Sequence, residues 1–183
     1  MRPLIVFSDV TLDGFMTGPD NDLGFMVDDP QLAAEVTGEL MAVADTMLWG
    51  RTSFTPSGAY WTAAEGELAD WMNRTPKVVL SSDSDFDVSS WANSTLAAGD
   101  GVDHVRRLKD TTGGSLVVFG GAKTVRSLVA ADLVDEYWIK LNPAIVGHGG
   151  SMFTDVTDPR SLTLRTARPY PSGTVALIYS ARS

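Results

Sequence analysis

Three short segments carry residue types suited to one kind of chemistry, the holding of a phosphate-bearing ligand. Gly50-Arg51-Thr52, Ser81-Ser82 and Gly120-Gly121-Ala122-Lys123-Thr124 each follow an apolar run. Glycine lets backbone approach an anion closely, hydroxyls donate hydrogen bonds without bulk, and Arg51 and Lys123 supply cations. Each segment alone is a weak signal, because Gly-Gly after a strand is also an ordinary turn and a lone arginine is also a solvated side chain. Recurrence at three strand ends is what points to a ligand with several phosphates. In an α/β sheet, ligands sit beyond the carboxyl ends of the strands, where helix N-termini present free N–H groups.

Other candidates are fewer. Asp13, in Leu12-Asp13-Gly14, either orders a substrate group or relays a proton, or it caps the turn with Gly14. Phe25 and Trp61 either line a substrate pocket or pack in the core or a lid. His148, in a glycine-rich loop, could act as an acid, but neither it nor His104 has a partner at metal-ligand spacing, so no metal site is expected. The absence of cysteine excludes disulfides, thiolate metal sites and Cys nucleophiles. Serine-nucleophile motifs are missing. So is Gly-x-Gly-x-x-Gly, which leaves a dinucleotide to be held by several junctions rather than one loop.

The elements that must position these residues alternate between strands and helices. Leu4 to Phe7 reads as a strand buried on both faces, continued by Val10-Thr11-Leu12, and residues 13–29 form a long Gly/Asp/Asn/Pro loop that is a candidate lid or substrate wall. A helix is predicted from Pro30 through Ala44, then a strand over Thr46 to Trp49. A loop containing Pro56, Gly58 and Trp61 leads to a helix over Ala63 to Arg74. Strands follow at Lys77 to Leu80 and near Ser94 to Ala97, a helix over Gly101 to Lys109, and the strand Ser115 to Phe119 opening onto another helix. Glu136 to Leu141 alternates, and Leu162 to Arg168 with Thr174 to Ala181 make a closing antiparallel pair. The expectation is a single domain over residues 1–183, an α/β fold whose mixed sheet is flanked by helices.

Composition agrees with a packed globule: 44% hydrophobic and 20% charged residues, with 5 Trp, 4 Tyr and 7 Phe. A net charge of −9 disfavours nucleic acid and anionic lipid as partners. The apolar run at the start is too short for a secretory signal or a membrane span, and a cytoplasmic protein is expected. Edges in the C-terminal pair and in the apolar 137–146 stretch make a homodimer plausible.

The ordered set Leu48-Trp49-Gly50-Arg51-Thr52-Ser53-Phe54, Lys77-Val78-Val79-Leu80-Ser81-Ser82 and Val118-Phe119-Gly120-Gly121-Ala122-Lys123 resembles the three cofactor segments of dihydrofolate reductases. Val10-Thr11-Leu12-Asp13-Gly14-Phe15, Ala130 to Glu136, and Asn142 to Phe153 are more similar to the branch containing the reductase domain of the riboflavin-biosynthesis deaminase/reductase. The likeness runs from residue 2 to residue 181. It implies a dihydrofolate-reductase-like, mostly parallel sheet and an NADPH-dependent reductase of a small pterin- or pyrimidine-like heterocycle or carbonyl compound. The alternative is a non-catalytic NADP(H)-binding or sensor module. By position, Gly50, Arg51 and Thr52 would hold phosphates, Ser81 and Ser82 the adenosine 2′-phosphate side, and Gly120, Gly121, Ala122, Lys123 and Thr124 the pyrophosphate, with Phe119 also against the cofactor. Arg51 would set the preference for NADPH, and Asp83 and Asp85 would repel a 2′-phosphate if they faced it. Asp13 would be the catalytic residue, with Phe25 and Trp61 on the substrate. Without cysteine, the zinc site of the deaminase half has no counterpart, which implies reductase chemistry alone.

Overall fold

A computed structural model describes residues 1–181, leaving positions 182 and 183 of the expected domain outside the described residues. The first strand, β1 (Leu4–Thr11), is followed by the long loop with a short 3₁₀ turn at Pro19–Asn21. Helix α1 covers residues 30–43 in three consecutive segments, Pro30–Leu32, a π-helical Ala33–Thr37 and Gly38–Val43. Its start follows the sequence logic: Asp29 accepts the Leu32 N–H at 2.8 Å and Pro30 occupies the first turn, where a missing N–H costs nothing.

Strand β2 (Ala44–Gly50) runs directly into α2 (Arg51–Ala63), and α3 (Glu67–Arg74) precedes β3 (Lys77–Ser81). Here one expectation is corrected. The stretch with Pro56, Gly58 and Trp61 is helix, and the next helix starts at Glu67 rather than Ala63. Pro56 forfeits one backbone hydrogen bond. Burial of Phe54 and the close approach of Gly58 to Trp91, where a Cβ would stand 3.3 Å from the indole, favour the helix regardless.

The remaining elements are β4 (Ser94–Ala98), α4 (Gly101–Lys109), β5 (Ser115–Gly120), α5 (Ala122–Ala130), β6 (Glu136–Asn142), β7 (Leu162–Pro169) and β8 (Val175–Ala181). They form one sheet in the order β4-β3-β2-β5-β1-β6-β8-β7. The first six are mutually parallel, and β8 runs antiparallel to both β6 and β7. This is the mixed, mostly parallel α/β sheet with an antiparallel C-terminal pair that the sequence implied.

Two cores flank the sheet, because alternate residues of each strand face opposite sides. Ile5, Val117, Trp49 and Trp138 pack beneath Leu32, Val36 and Leu40 of α1, Phe54 of α2, and Trp71 and Met72 of α3. Leu4, Val6, Leu116 and Val118 pack beneath Val105 of α4 and Val125, Leu128 and Val129 of α5. Strands covered on both sides lose the apolar/polar alternation, which is why β1 and β5 read as continuous apolar runs.

Candidate functional site

The parallel order brings the C-terminal ends of β3, β2, β5, β1 and β6 to one edge. Strands β2 and β5 are neighbours, Trp49 lying opposite Gly120, so α2 and α5 start next to each other at that edge and then run down opposite faces of the sheet. A Cβ on Gly121 would meet Ser53 Oγ at 3.3 Å and Gly50 Cα at 3.9 Å, and a Cβ on Gly50 would overlap Thr124 Oγ1. Gly50 is therefore glycine because Thr124 occupies the space. Gly121 sits at φ 66, a conformation natural only to glycine. Around Gly120 no heavy atom lies within 4 Å of the Cβ position, which leaves open room for a ligand.

The starts of α2 and α5 carry no side-chain cap, whereas α1 and α4 are capped by Asp29 and Asp100. Uncapped helical amides at two adjacent N-termini leave N–H donors and the positive ends of two dipoles close together. Arg51 and Lys123, both exposed, stand at the first residues of these helices.

The third segment joins the other two through charge. Ser81 is buried and its Oγ accepts the Asp83 N–H at 3.0 Å, while Ser82 is exposed. Asp83 then binds Arg51 at 3.1 Å, with side-chain exposures of 43% and 54%. A pair this wet is worth about 0–1 kcal/mol and exchanges readily.

Asp13 is placed at the other end of the edge. Its carboxylate accepts from Thr11 Oγ1 at 2.6 Å and from the backbone N–H groups of Val146 and Gly147, the latter at 2.7 Å. The Thr11 hydroxyl, followed by these amides, pulls its pKa below the usual carboxylate value. An exposed, ionised Asp13 thus ties the start of the long loop to the 143–150 loop. Farther along, Thr17 bridges Gly150, and a Cβ on Gly150 would lie 2.8 Å from the Cβ of Ala122 at the start of α5. Both loops therefore border the cradle.

Phe25 lies half-buried on the long loop. Trp61 is not brought to the edge: it lies ten residues beyond Arg51 along α2, about 15 Å down the helix axis, edge-on to Tyr60 and packed against the core. His148 is exposed on the 143–150 loop, and His104 is half-buried on α4.

The structure adds residues that the sequence reading missed. Phe7 and Phe119 meet edge to face at 5.7 Å, and Trp49 stacks on Phe119 at 5.5 Å, forming an aromatic floor near the ends of β2 and β5 and against the middle of β1. The buried Trp49 Nε1 has no hydrogen-bond partner. Beside this floor, Asp9 on β1 contacts Lys140 and Asn142 on β6. The available signal was a charged residue on the inward phase of an apolar strand, at positions 9 and 140.

Residues 2–176 match the family described as RibD C-terminal domain. Protein YyaP of Bacillus subtilis (strain 168) is 28% identical over 185 residues, 97% of this chain and 94% of that protein. Among solved structures, a putative riboflavin biosynthesis protein from Shewanella sp. PV-4 superposes with a TM-score of 0.80 at 22% identity, covering all of both chains. Dihydrofolate reductase from Enterococcus faecalis, solved with NADP(H), gives 0.68 at 12% identity over 99% of this chain and 97% of the other. Among the described residues, no helix is long and apolar enough to cross a membrane.

Proposed function

The chain belongs to the RibD C-terminal domain family, and from that premise we propose that it is an NADPH-dependent reductase of a small pterin- or pyrimidine-like heterocycle or carbonyl compound. The observation that carries the proposal is the pair of uncapped helix N-termini set side by side around the open space at Gly120. That arrangement fits a pyrophosphate, and the solved complex of the Enterococcus reductase with NADP(H) supports the choice of ligand.

In this reading the amides at the starts of α2 and α5, with Thr52 and Lys123, hold the pyrophosphate. Arg51 takes the 2′-phosphate, exchanging its pairing with Asp83 for the ligand, while Ser82 donates from the neighbouring turn. The bound cofactor supplies a hydride. The chain supplies orientation and a dry floor: Phe7, Phe119 and Trp49 exclude water on one side, and the long loop borders the other. Asp13, held ionised, orders the loops, and the proton comes from solvent.

A second reading, a nucleotide-binding module without turnover, is favoured by one observation. The carboxylate expected to act as an acid is engaged by Thr11 and two loop amides. Titration with NADPH, followed by its oxidation in the presence of pterins, pyrimidines and quinones, separates the two. Binding with turnover of at least one compound supports the reductase, binding with none supports the module, and absence of NADPH binding refutes both.

A further inference from the structure

Asp9, Lys140 and Asn142 stand on one face of the adjacent strands β1 and β6, where Asp9 lies opposite Lys140 and Thr11 opposite Asn142. The Asn142 amide is wholly buried and donates to Asp9 Oδ1 at 2.9 Å; Lys140 Nζ lies 3.4 Å from the same oxygen, with side-chain exposures of 14% for Lys140 and 18% for Asp9. Holding charges this dry is costly unless each donor and acceptor is used. The sheet does not require them, since β1 and β6 are already paired over seven residues of backbone register.

Both β6 side chains reach out of the sheet to a single residue of the long loop. Asn142 Oδ1 accepts the Val27 N–H at 2.9 Å, and Lys140 Nζ donates to the Val27 carbonyl. Two side chains thus satisfy both backbone polar groups of Val27, as a neighbouring strand would. Upstream, the same loop is held where Thr17 bridges Gly150 beside Ala122. The loop therefore spans the edge from the start of α5 to the end of β6. Its central part carries Leu23 (48% exposed), half-buried Phe25 and Met26 (37% exposed), with Asp20 and Asn21 at φ 53 and 62. The segment's own hydrogen bonds are short turns, Gly18 N–H to the Asp22 carbonyl at 2.7 Å and Met26 N–H to the Leu23 carbonyl at 3.0 Å, which shape it locally, while the tethers at Thr17 and Val27 fix where it stands.

We propose that Lys140 and Asn142 are positioning residues, fixing the downstream end of the long loop at Val27 and so setting where Phe25 and Met26 stand over the mouth of the site. The functional part rests on the reductase reading; the tether itself does not.

Amide hydrogen exchange in the free protein tests the tether. Asn142→Leu, which removes the acceptor of the Val27 N–H, should speed exchange at Val27 by about tenfold or more while amides inside β1 and β6 keep their protection; Lys140→Met, which removes the bond to the Val27 carbonyl, should speed it by a smaller factor of about threefold, and Lys140→Arg should restore it. The double variant Asp9→Asn/Lys140→Met, which leaves no unpaired carboxylate, gives the same comparison if the single variant folds poorly. Unchanged exchange at Val27, or protection lost evenly through the sheet, overturns the proposal. Steady-state kinetics test the consequence: the substrate KM should rise about tenfold with kcat and NADPH affinity within about threefold of the parent, and Lys140→Arg should recover the KM. NADPH affinity falling in step with KM would overturn the positioning role. Absence of turnover in the unaltered protein would refute the reductase reading while the exchange result still decides the tether.

Discussion

Replacing Arg51 by alanine removes one member of the pair with Asp83, both groups about half exposed, so folding should lose at most about 1 kcal/mol. The ligand should lose more. A hydrogen bond between a guanidinium and a phosphate contributes about 1.5–3 kcal/mol, which at about 1.4 kcal/mol per factor of ten is roughly 10- to 150-fold in the NADPH dissociation constant. NADH lacks the 2′-phosphate, so its affinity should change by no more than about threefold. Asp83→Asn should act in the opposite direction, because it frees Arg51 and removes a repelling charge; a gain of about 0.5–1 kcal/mol corresponds to NADPH binding roughly two- to fivefold tighter. Both effects should shrink as salt screens an exposed site. Calorimetric titration of both cofactors at two ionic strengths measures all four quantities. Equal loss of NADPH and NADH in Arg51→Ala, or no gain in Asp83→Asn, would refute the assignment of the 2′-phosphate to this junction.

Three further outcomes follow from particular contacts. Gly50→Ala should destabilise the fold by about 1–3 kcal/mol in urea unfolding, since its methyl group would overlap Thr124 Oγ1, and Gly50→Ala/Thr124→Ala should recover most of the loss; no recovery would show that Thr124 is not the obstacle. Gly149→Ala would drive a methyl group into the Thr17 carbonyl oxygen, so proteolysis within residues 13–29 should accelerate while the sheet retains its circular dichroism. Lys77 is fully buried, its ammonium donating to the Asn73, Thr75 and Ala92 carbonyls beside the Trp91 ring, and burial pushes its pKa from 10.5 down to about 8. The unfolded chain then binds more protons between those values, so this group's contribution to stability rises with pH, by about 2 kcal/mol from pH 7 to pH 9.5 relative to Lys77→Met. Urea midpoints that shift in parallel for the two proteins would contradict that assignment.

The three junctions were legible because each is a local pattern, an apolar strand followed by small residues, and nothing distant is needed to recognise it. The side-by-side placement of Gly50 and Gly121 rested on β2 pairing with β5, which the chain does not spell out locally. Helix α2 was hidden because Pro56, Gly58 and a run of Ser and Thr argue against a helix in isolation, while the burial that favours it comes from Trp91 and the core around Phe54. Asp9, Lys140 and Asn142 escaped notice for the same reason: Asp9 and Lys140 are far apart in sequence and meet only through the parallel register of β1 and β6. Asp13 was seen as a candidate, and its neighbours in the 143–150 loop show what it holds.

The position of β1 has a consequence for biosynthesis. The strand is made before either of its neighbours, β5 and β6, and Leu4 finds its partner Leu116 only after more than a hundred further residues have been made. Until then Leu-Ile-Val-Phe has both hydrogen-bonding edges open, a template for adhesion between nascent chains. Output of usable protein should therefore depend on chaperone capacity and translation speed more steeply than the stability of the finished fold would suggest, and ordering of the middle of the sheet should wait until most of the chain has emerged.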